Sequence, residues 1–338
     1  MKLIIQIPCF NEAKTLPVTL AALPRVVEGF DVVEWLVIDD GSSDGTAAIA
    51  KAYGVDHVIR HAGNKGLAKA FITGIDACLQ LGADVIVNTD ADNQYDSADI
   101  PELTRPILEQ RAELVIGARP IAEIDHFSPV KKILQRLGSW VVRVASKTDI
   151  PDAPSGFRAM SRAVAQRLMV FGEYTYTLET ILQAGQGKIA VSSVKVRVNE
   201  DLRPSRLVRS IPSYIGQGLF TITRIFIIYR PFLFFGTIGT LLFSGGFLIG
   251  LRFLLKFLNG DGHGHVQSLI LASCLISMGF VTILMAFLAD LMSANRKLLE
   301  DIRVKTARLS NVTRAEEHPS PRPIYRHAQA KYVERPLA

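Results

Sequence analysis

The sequence predicts an α/β fold: a buried, mostly parallel sheet, then interfacial helices, then two membrane-spanning helices. Three observations predict it. Over roughly the first 200 residues, short apolar runs rich in β-branched residues alternate with longer segments of helical periodicity, the pattern of βαβ units. Polar stretches rich in carboxylates follow the first, second and fourth apolar runs, and ligands bind at these strand ends in such sheets. Near the C-terminus, residues 232–251 and 266–289 carry no charge. At about 1.5 Å per residue, each is long enough to cross a hydrocarbon core of ~30 Å.

The elements follow in order. Residues 3–7 read as the first strand, because Gln6 and Pro8 interrupt the apolar opening and no small-residue cleavage site follows, so a signal peptide is disfavoured. A helix over 13–27 comes next, then a strand over 35–38, a helix opening near Asp44 and a strand over 57–60. A helix over 67–81, a strand over 85–88, a helix over 100–110 and a strand over 114–116 complete the alternation. Residues 128–147 place Val130, Ile133, Leu134, Leu137, Val141 and Val144 at helical spacing, punctuated by Lys131, Lys132, Arg136 and Arg143. A membrane-facing basic helix and a solvated helix with its apolar face in the core fit that pattern equally. Another helix opens at Tyr174–Glu179, and a strand spans 189–198.

Residues 211–229 read as an interfacial helix, since Arg224 and several polar side chains rule against a span. The two spans follow, and the polar, Pro-rich tail beyond about Ser310 is expected to be disordered. The expected division is an α/β domain over 1–204, juxtamembrane helices over 205–230, two spans with their short loop over 231–290 and a basic tail over 291–338. Basic residues flank the spans while the loop between them, 257–265, is almost free of Lys and Arg. The positive-inside rule then places both chain ends and the α/β domain on the cytoplasmic face of the inner membrane.

Bulk composition agrees. The 338 residues are 49% hydrophobic with mean hydropathy +0.24, net charge +6 and a pI near 9.2. The positive charge clusters around the membrane segments, which disfavours a nucleic-acid partner. Cys9, Cys78 and Cys274 share no short spacing, so they form neither a disulfide framework nor a zinc site, and a reducing compartment is expected.

The chemistry concentrates where the fourth strand ends, at Val87-Asn88-Thr89-Asp90-Ala91-Asp92-Asn93-Gln94. On an extended strand end, positions i and i+2 point the same way, so Asp90 and Asp92 can converge on one ligand. Hard oxygen donors suit Mg²⁺ or Mn²⁺, shared with phosphate oxygens. No Gly-x-Gly-x-x-Gly follows the first strand and no Walker A sequence occurs, which argues against dehydrogenase-type and P-loop folds. Phe10 offers a flat surface for a base, Glu12 an acceptor, and Asp40 an acceptor for a nucleobase N–H. Asp44 reads better as a helix cap.

Five stretches carry a resemblance: Pro8-Cys9-Phe10-Asn11-Glu12, Val37-Ile38-Asp39-Asp40-Gly41-Ser42-Ser43-Asp44-Gly45-Thr46, Asn64-Lys65-Gly66-Leu67-Ala68-Lys69-Ala70, Asp90–Gln94 and Ser155-Gly156-Phe157-Arg158. In this order they resemble the motif set of family 2 glycosyltransferases, within the branch of dolichol-phosphate mannose synthase and bacterial polyprenyl-phosphate glycosyltransferases. The resemblance implies a GT-A fold and inverting transfer of one sugar from a nucleoside diphosphate sugar to a polyprenyl phosphate lipid. It implies that Pro8, Phe10, Glu12 and Asp40 hold the nucleoside, with Asn11, Lys65, Gly66 and Ala91 in the same motifs. Asp90 would lie near the ribose and diphosphate, and Asp92 and Gln94 would ligate Mg²⁺ or Mn²⁺. Self-association is also suggested by bacterial members.

Further positions follow from the same resemblance. The family's acceptor-phosphate Arg and Ser are replaced here by Lys132 and Gln135, which leaves Arg119 the stronger candidate for that grip, with Ser155 beside it. Ser205-Arg206-Leu207 matches an element that closes over the diphosphate, with Arg203 in the same loop; a juxtamembrane patch for anionic lipid accounts for these residues too. Glu179 would face the donor sugar, or else serve as a helix N-terminal acid. A phosphate monoester has a second pKa of about 6 and is already nucleophilic at neutral pH, so no general base is required. Asp152 is therefore assigned positioning rather than proton abstraction. Two other readings are a processive polysaccharide synthase, disfavoured because no Gln-x-x-Arg-Trp occurs, and a nucleotide-sugar-binding membrane adaptor without turnover.

Overall fold

A computed structural model of the chain describes residues 1–120, 138–140, 142–144, 146–168, 170, 176–200, 220, 223–224, 227–258 and 266–317. By contacts it divides into two units, Met1–Arg296 and Lys297–Ala338. The first is built on a seven-stranded sheet: β1 (Lys2–Cys9), β2 (Val32–Asp39), β3 (His57–Arg60), β4 (Val85–Asn88), β5 (Leu114–Ala118), β6 (Arg158–Ser161) and β7 (Val191–Lys195). Among the described residues, the helices of this unit's α/β part whose ends are placed are α1 (Leu16–Ala22), α2 (Thr46–Ala52), α3 (Leu67–Gln80), α4 (Ile100–Leu108), α5 (Arg162–Ala165) and α6 (Thr177–Gln186).

The strand order is β3-β2-β1-β4-β6-β5-β7. β1 pairs in parallel with β2 on one side and β4 on the other, while β6 runs antiparallel between β4 and β5. The chain thus winds outward in both directions from β1. Loops leaving β1 and β4 diverge and open a crevice at the carboxyl ends, the place where such sheets bind ligands.

Both faces of the sheet are covered, which explains why its strands read as continuous apolar runs rather than alternating ones. Along β1, Leu3, Ile5 and Ile7 join one core with Leu16, Leu20, Val85, Val87 and Phe157. Ile4 joins the other with Ile38, Phe71, Ile75, Ile86 and Met160. The period of two therefore feeds two cores from one strand.

Several elements differ from expectation. α1 ends at Ala22 rather than 27, because Pro24 follows Leu23 and the residue before a proline avoids helical backbone; Leu23 is extended, with ψ of 134°. β7 is half the expected length. β6 has no counterpart in the predicted elements. Of the basic amphipathic segment, Lys131, Lys132, Arg136, the apolar positions up to Leu137 and Val141 lie outside the described residues; Val144 is exposed, and it is Val142, outside the expected apolar set, that is buried in the core. The interfacial stretch 211–219 also lies outside them, as do Arg203, Ser205 and Arg206.

Two long helices, α7 (Pro231–Leu258) and α8 (Val266–Glu317), contain the predicted spans. Pro231–Leu258 and Val266–Asn295 are long and apolar enough to cross a membrane, and most of their large side chains are exposed. α7 extends past the expected end at 251 and carries Arg252 and Lys256 in its final turns, where long cationic side chains reach an interface. α8 continues to Glu317, into the stretch expected to be disordered, because its sequence past the span is dense in good helix formers.

The two helices approach through small residues. Gly239 faces Gly279 and Ile283, and Gly246 faces Ala272 and Ile276; Gly239 and Gly246 on one helix, and Ala272, Gly279 and Ala286 on the other, are buried and spaced by sevens. A Cβ on Gly279 would lie 2.5 Å from Phe243 N, and one on Gly246 would lie 2.8 Å from Ile276 N. Backbone meets backbone, as in membrane helix pairs held by dispersion rather than by a hydrophobic drive. Gly279→Leu is expected to destabilise the hairpin by about 1–3 kcal/mol, the cost of overpacking. Thermal unfolding in detergent checks this; an unchanged midpoint would show that the helices do not pack this way.

Candidate active site

Three strand-end loops meet above β1. The loop after β1 bends at Asn11, whose φ of 55° is a left-handed conformation that Asn tolerates. It is laced to the loop after β2: Asn11 N–H donates to Ser42 Oγ at 2.8 Å and Ser43 N–H to Asn11 Oδ1 at 2.9 Å. Glu12 N–H donates to Thr46 Oγ1 at 3.0 Å, and Ala13 N–H to Asp44 Oδ2 at 3.0 Å. Asp44 Oδ1 accepts from Thr46 N at 3.1 Å; the N-cap of α2 is Gly45 rather than the expected Asp44, which sits one residue earlier, engages the first helical N–H and ties down the first loop. Phe10 stands 40% exposed at the end of this bend, and Glu12 is buried, accepting from Thr15 Oγ1 at 2.7 Å.

Asp40 is 2% exposed. Its Oδ1 accepts from Lys65 N at 2.9 Å and lies 2.6 Å from His61 Nδ1, while its Oδ2 accepts from Gly66 N at 2.8 Å. The carboxylate thereby holds the 64–66 loop at the mouth of the crevice. Gly41 makes this possible: a Cβ there would sit 2.5 Å from the Gly63 carbonyl carbon, and φ is +74°.

Asp90, Ala91, Asp92 and Gln94 form the loop after β4. Asp90 packs on Gly156, where a Cβ would come within 2.8 Å and 2.9 Å of its carboxylate oxygens. Beneath lies a buried polar network. Asn88 Nδ2 donates to Gly156 O at 2.8 Å and Tyr176 Oη at 2.9 Å, and Gln6 Nε2 donates to Asn88 Oδ1 at 2.9 Å. Gly156 N in turn donates to Tyr95 Oη at 3.0 Å. Tyr176 stacks on Phe71 with ring centroids 3.9 Å apart. Asn199 Nδ2 donates to Asn93 O at 3.0 Å, pinning the turn that carries Asp92 and Gln94.

Arg119, which follows β5, grips Asp152 through both ends of its fork: Nε–Oδ2 is 2.7 Å and Nη2–Oδ1 is 3.1 Å. The side chains are only 7% and 1% exposed. Nη1 reaches Gln94 Oε1 at 3.3 Å, joining this pair to the Asp90–Gln94 loop. Arg158, wholly buried in β6, donates through Nη1 to Thr177 O at 3.2 Å and to Thr180 Oγ1, and through Nη2 to Ser155 O. Ser155 is itself buried. Glu179 occupies the first turn of α6, half-buried.

The electrostatics are those of a site built for an anion and a cation together. Burial, then the neighbouring Asp92 charge, pushes the Asp90 carboxyl up to about 7, against the pull of Arg119 and Arg158. Burial works against the Arg119 charge, but Tyr95, Asp152 and Asp90 raise its pKa overall. For Arg158 burial wins and the pKa is lowered, with Tyr176, Tyr95, Asp90 and Asp152 opposing. Among the described residues no group of three or more His, Cys, Asp or Glu could hold a metal by itself. Two adjacent carboxylates and an amide oxygen do fit a divalent cation that completes its shell with water or phosphate, as Mg²⁺ does. No donor among the described residues hydrogen-bonds the Asp90 carboxylate, which leaves its charge for such an ion to compensate.

This has a pH consequence. Asp90 is raised above the ordinary carboxylate range, so it is protonated below about 7, and a cation held by this carboxylate would have to displace that proton. Apparent affinity for Mn²⁺ is expected to be flat above pH 7.5 and to weaken by up to about tenfold per unit as pH falls from 7 to 5.5. Titration calorimetry across that range would detect it; an affinity constant from pH 8 to 6 would exclude Asp90 from cation binding.

The profile of glycosyl transferase family 2 matches residues 4–169, from β1 through the Asp90–Gln94 loop and Arg119 to β6 and α5. Residues 4–169 form a glycosyl transferase family 2 domain. The chain is 29% identical over 235 residues to the undecaprenyl-phosphate mannosyltransferase of Micrococcus luteus, covering 66% of this chain and 93% of that one. It is 28% identical over 213 residues to the UDP-N-acetylglucosamine–dolichyl-phosphate N-acetylglucosaminyltransferase of Methanococcus voltae, covering 56% and 83%. Its fold is similar to that of glucosyl-3-phosphoglycerate synthase from Mycobacterium tuberculosis, with TM-score 0.52 at 20% identity over 67% of this chain and 78% of that chain. The mixed, mostly parallel sheet of this domain is the GT-A fold.

The structure brings Asp90, Ala91, Asp92, Gln94, Arg119, Asp152 and Ser155 together around one end of β4, and sets Pro8, Phe10, Asn11, Glu12, Asp40, Lys65 and Gly66 around the neighbouring ends of β1 and β2. Lys132, Arg203, Ser205 and Arg206 lie outside the described residues. Sequence reasoning did not find Gln6, His61, Asn88, Tyr95, Tyr176 or Asn199. Gln6 left a trace, as one polar side chain in an otherwise apolar strand, and Asn88 as a polar residue closing another.

Proposed function

We propose that this protein transfers one sugar from a nucleoside diphosphate sugar to a polyprenyl phosphate at a membrane surface. The carrying observation is the joining of the Asp90–Gln94 loop to the buried Arg119–Asp152 pair through Gln94, in a chain that also has two long apolar helices. The names of the relatives, which act on undecaprenyl, dolichyl and polyprenol phosphates, support the acceptor class. The structural relative crystallised with Mn²⁺ and UDP supports the donor class and a divalent ion.

In this reading Phe10 and Asp40 receive the base, with Pro8, Asn11, Glu12, Lys65, Gly66 and Ala91 shaping its cleft. Glu179 meets the donor sugar. Asp90, Asp92 and Gln94 would hold Mg²⁺ or Mn²⁺, which when bound takes up the charge of the departing diphosphate. Arg119 binds the acceptor phosphate with its remaining N–H groups, while Asp152 fixes the plane of its guanidinium. Asp152 has both oxygens engaged by Arg119 and is held as an orienting group, not a base. An acceptor monoester, with a second pKa of about 6, attacks the anomeric carbon directly and inverts it. Ser155, Lys132, Arg203, Ser205 and Arg206 would complete the phosphate contacts. The cationic flank of Arg224 and Arg230 on the near side of α7 suits a catalytic domain on the cytoplasmic face of the inner membrane.

The test offers purified full-length protein a panel of UDP- and GDP-sugars with undecaprenyl phosphate and Mg²⁺ or Mn²⁺, and analyses the lipid products. A sugar joined to the phosphoryl oxygen is expected. Full activity in chelator, or a sugar joined to a hydroxyl acceptor, would overturn the reading.

A further inference from the structure

His61 follows β3 directly and is 8% exposed. Its ring is held at both ends: Nδ1 lies 2.6 Å from Asp40 Oδ1 and Nε2 lies 3.1 Å from Thr73 Oγ1 on α3. Asp40 Oδ1 also receives Lys65 N, so its acceptor positions are filled, whereas Oδ2 receives Gly66 N alone. A carboxylate oxygen accepts twice, so one position remains on Oδ2. With Nδ1 donating to Asp40 and Nε2 accepting from the Thr73 hydroxyl, the imidazole turns the carboxylate plane and commits one oxygen wholly to the protein. The other oxygen is left to read a ligand N–H. A buried residue engaged at both ring nitrogens is a built contact rather than a surface accident.

We propose that His61 is a positioning residue for nucleobase recognition, acting through Asp40 and the 64–66 loop on the binding of the donor nucleotide rather than on the transfer step. This rests on the reading of Asp40 as the group that meets the base. The ligand class is a base that presents an imide or lactam N–H, such as uracil or guanine. Cytosine and adenine present a lone pair at the corresponding ring nitrogen and would be refused.

Asparagine places an amide N–H near the position of Nδ1, glutamine near that of Nε2, and phenylalanine keeps the ring volume with neither. His61→Asn is expected to hold the donor KM within about threefold of the parent, because a hydrogen bond to the charged carboxylate survives. His61→Gln and His61→Phe should raise the donor KM by about tenfold or more, with kcat and acceptor KM within about twofold. Calorimetric binding of UDP and GDP should weaken by the same factor. A parental donor KM in His61→Phe beside a raised one in His61→Asn would mean the ring only fills space, equal effects of all three substitutions would mean the Nδ1 hydrogen bond to Asp40 is not what positions the carboxylate, and a loss confined to kcat would place His61 elsewhere in the reaction; any of these results overturns the proposal. If His61→Phe does not fold, Thr73→Val, which removes only the outer hydrogen bond, should raise donor KM about two- to fivefold; no change would overturn it. Asp40→Asn separates the two levels. If it leaves donor KM unchanged, the base reading itself fails. If it raises donor KM and His61→Phe does not, His61 alone is misassigned.

Discussion

Asp92→Asn is expected to lower sugar transfer by at least about a hundredfold while the protein remains folded. Asp92 lies partly exposed at the mouth of the crevice, outside both hydrophobic cores, so the substitution removes no packing. It removes one of two negative charges from the proposed donor set, which has only one amide oxygen besides. Loss of an ionised ligand from so small a set weakens the cation, and with it the stabilisation of the departing diphosphate in the transition state. Because the Asp92 charge helps raise Asp90, the Asp90 carboxyl should also titrate lower in this variant. Turnover measured against Mn²⁺ concentration, beside a melting curve, decides the matter. Near-parental turnover at low Mn²⁺ would remove the cation from this loop.

The second large effect concerns the buried ion pair. Arg119→Met leaves Asp152 as an uncompensated carboxylate at 1% exposure, and breaking a buried pair from one side costs about 3–5 kcal/mol. Its activity should fall with its stability, since Arg119 also touches Gln94. Asp152→Asn is the more instructive change. The amide keeps one oxygen for Nε, so Arg119 stays near its place with a slackened fork. Turnover should drop but persist at neutral pH, and the pH–rate profile should keep its shape. Abolition of activity in a folded variant that still binds both substrates would make Asp152 the base after all.

Much of this was legible in the residues. β3 and β4 were predicted with their observed ends, and α3 to within one residue, because continuous β-branched runs and a fourteen-residue helical period leave little choice. β6 was not legible: Arg158-Ala159-Met160-Ser161 shows no alternation, and only pairing with β4 and β5 on either side makes it a strand. The loops that carry Asp90 and Asp40 could be placed from strand ends alone. The side chains behind them could not. Gln6 and Asn88 sit 82 positions apart and meet because β1 and β4 are neighbours, and nothing local in either strand reveals the hydrogen bond between them. The pairing of Arg119 with Asp152 is of the same kind, set by the route of the chain from β5 back to β6.

Tyr229 sits 6% exposed in the same core as Ile181, Leu182 and Ile189, and its carbonyl accepts from Gln186 Nε2 at 3.3 Å, just before α7 begins. Anyone trimming the gene to obtain a detergent-free version should therefore not stop at residue 204. Such a cut would strip the plug from the flank of α6 and leave a greasy scar beside the helix that bears Glu179. A version ending after Arg230 keeps that plug and sheds the hairpin.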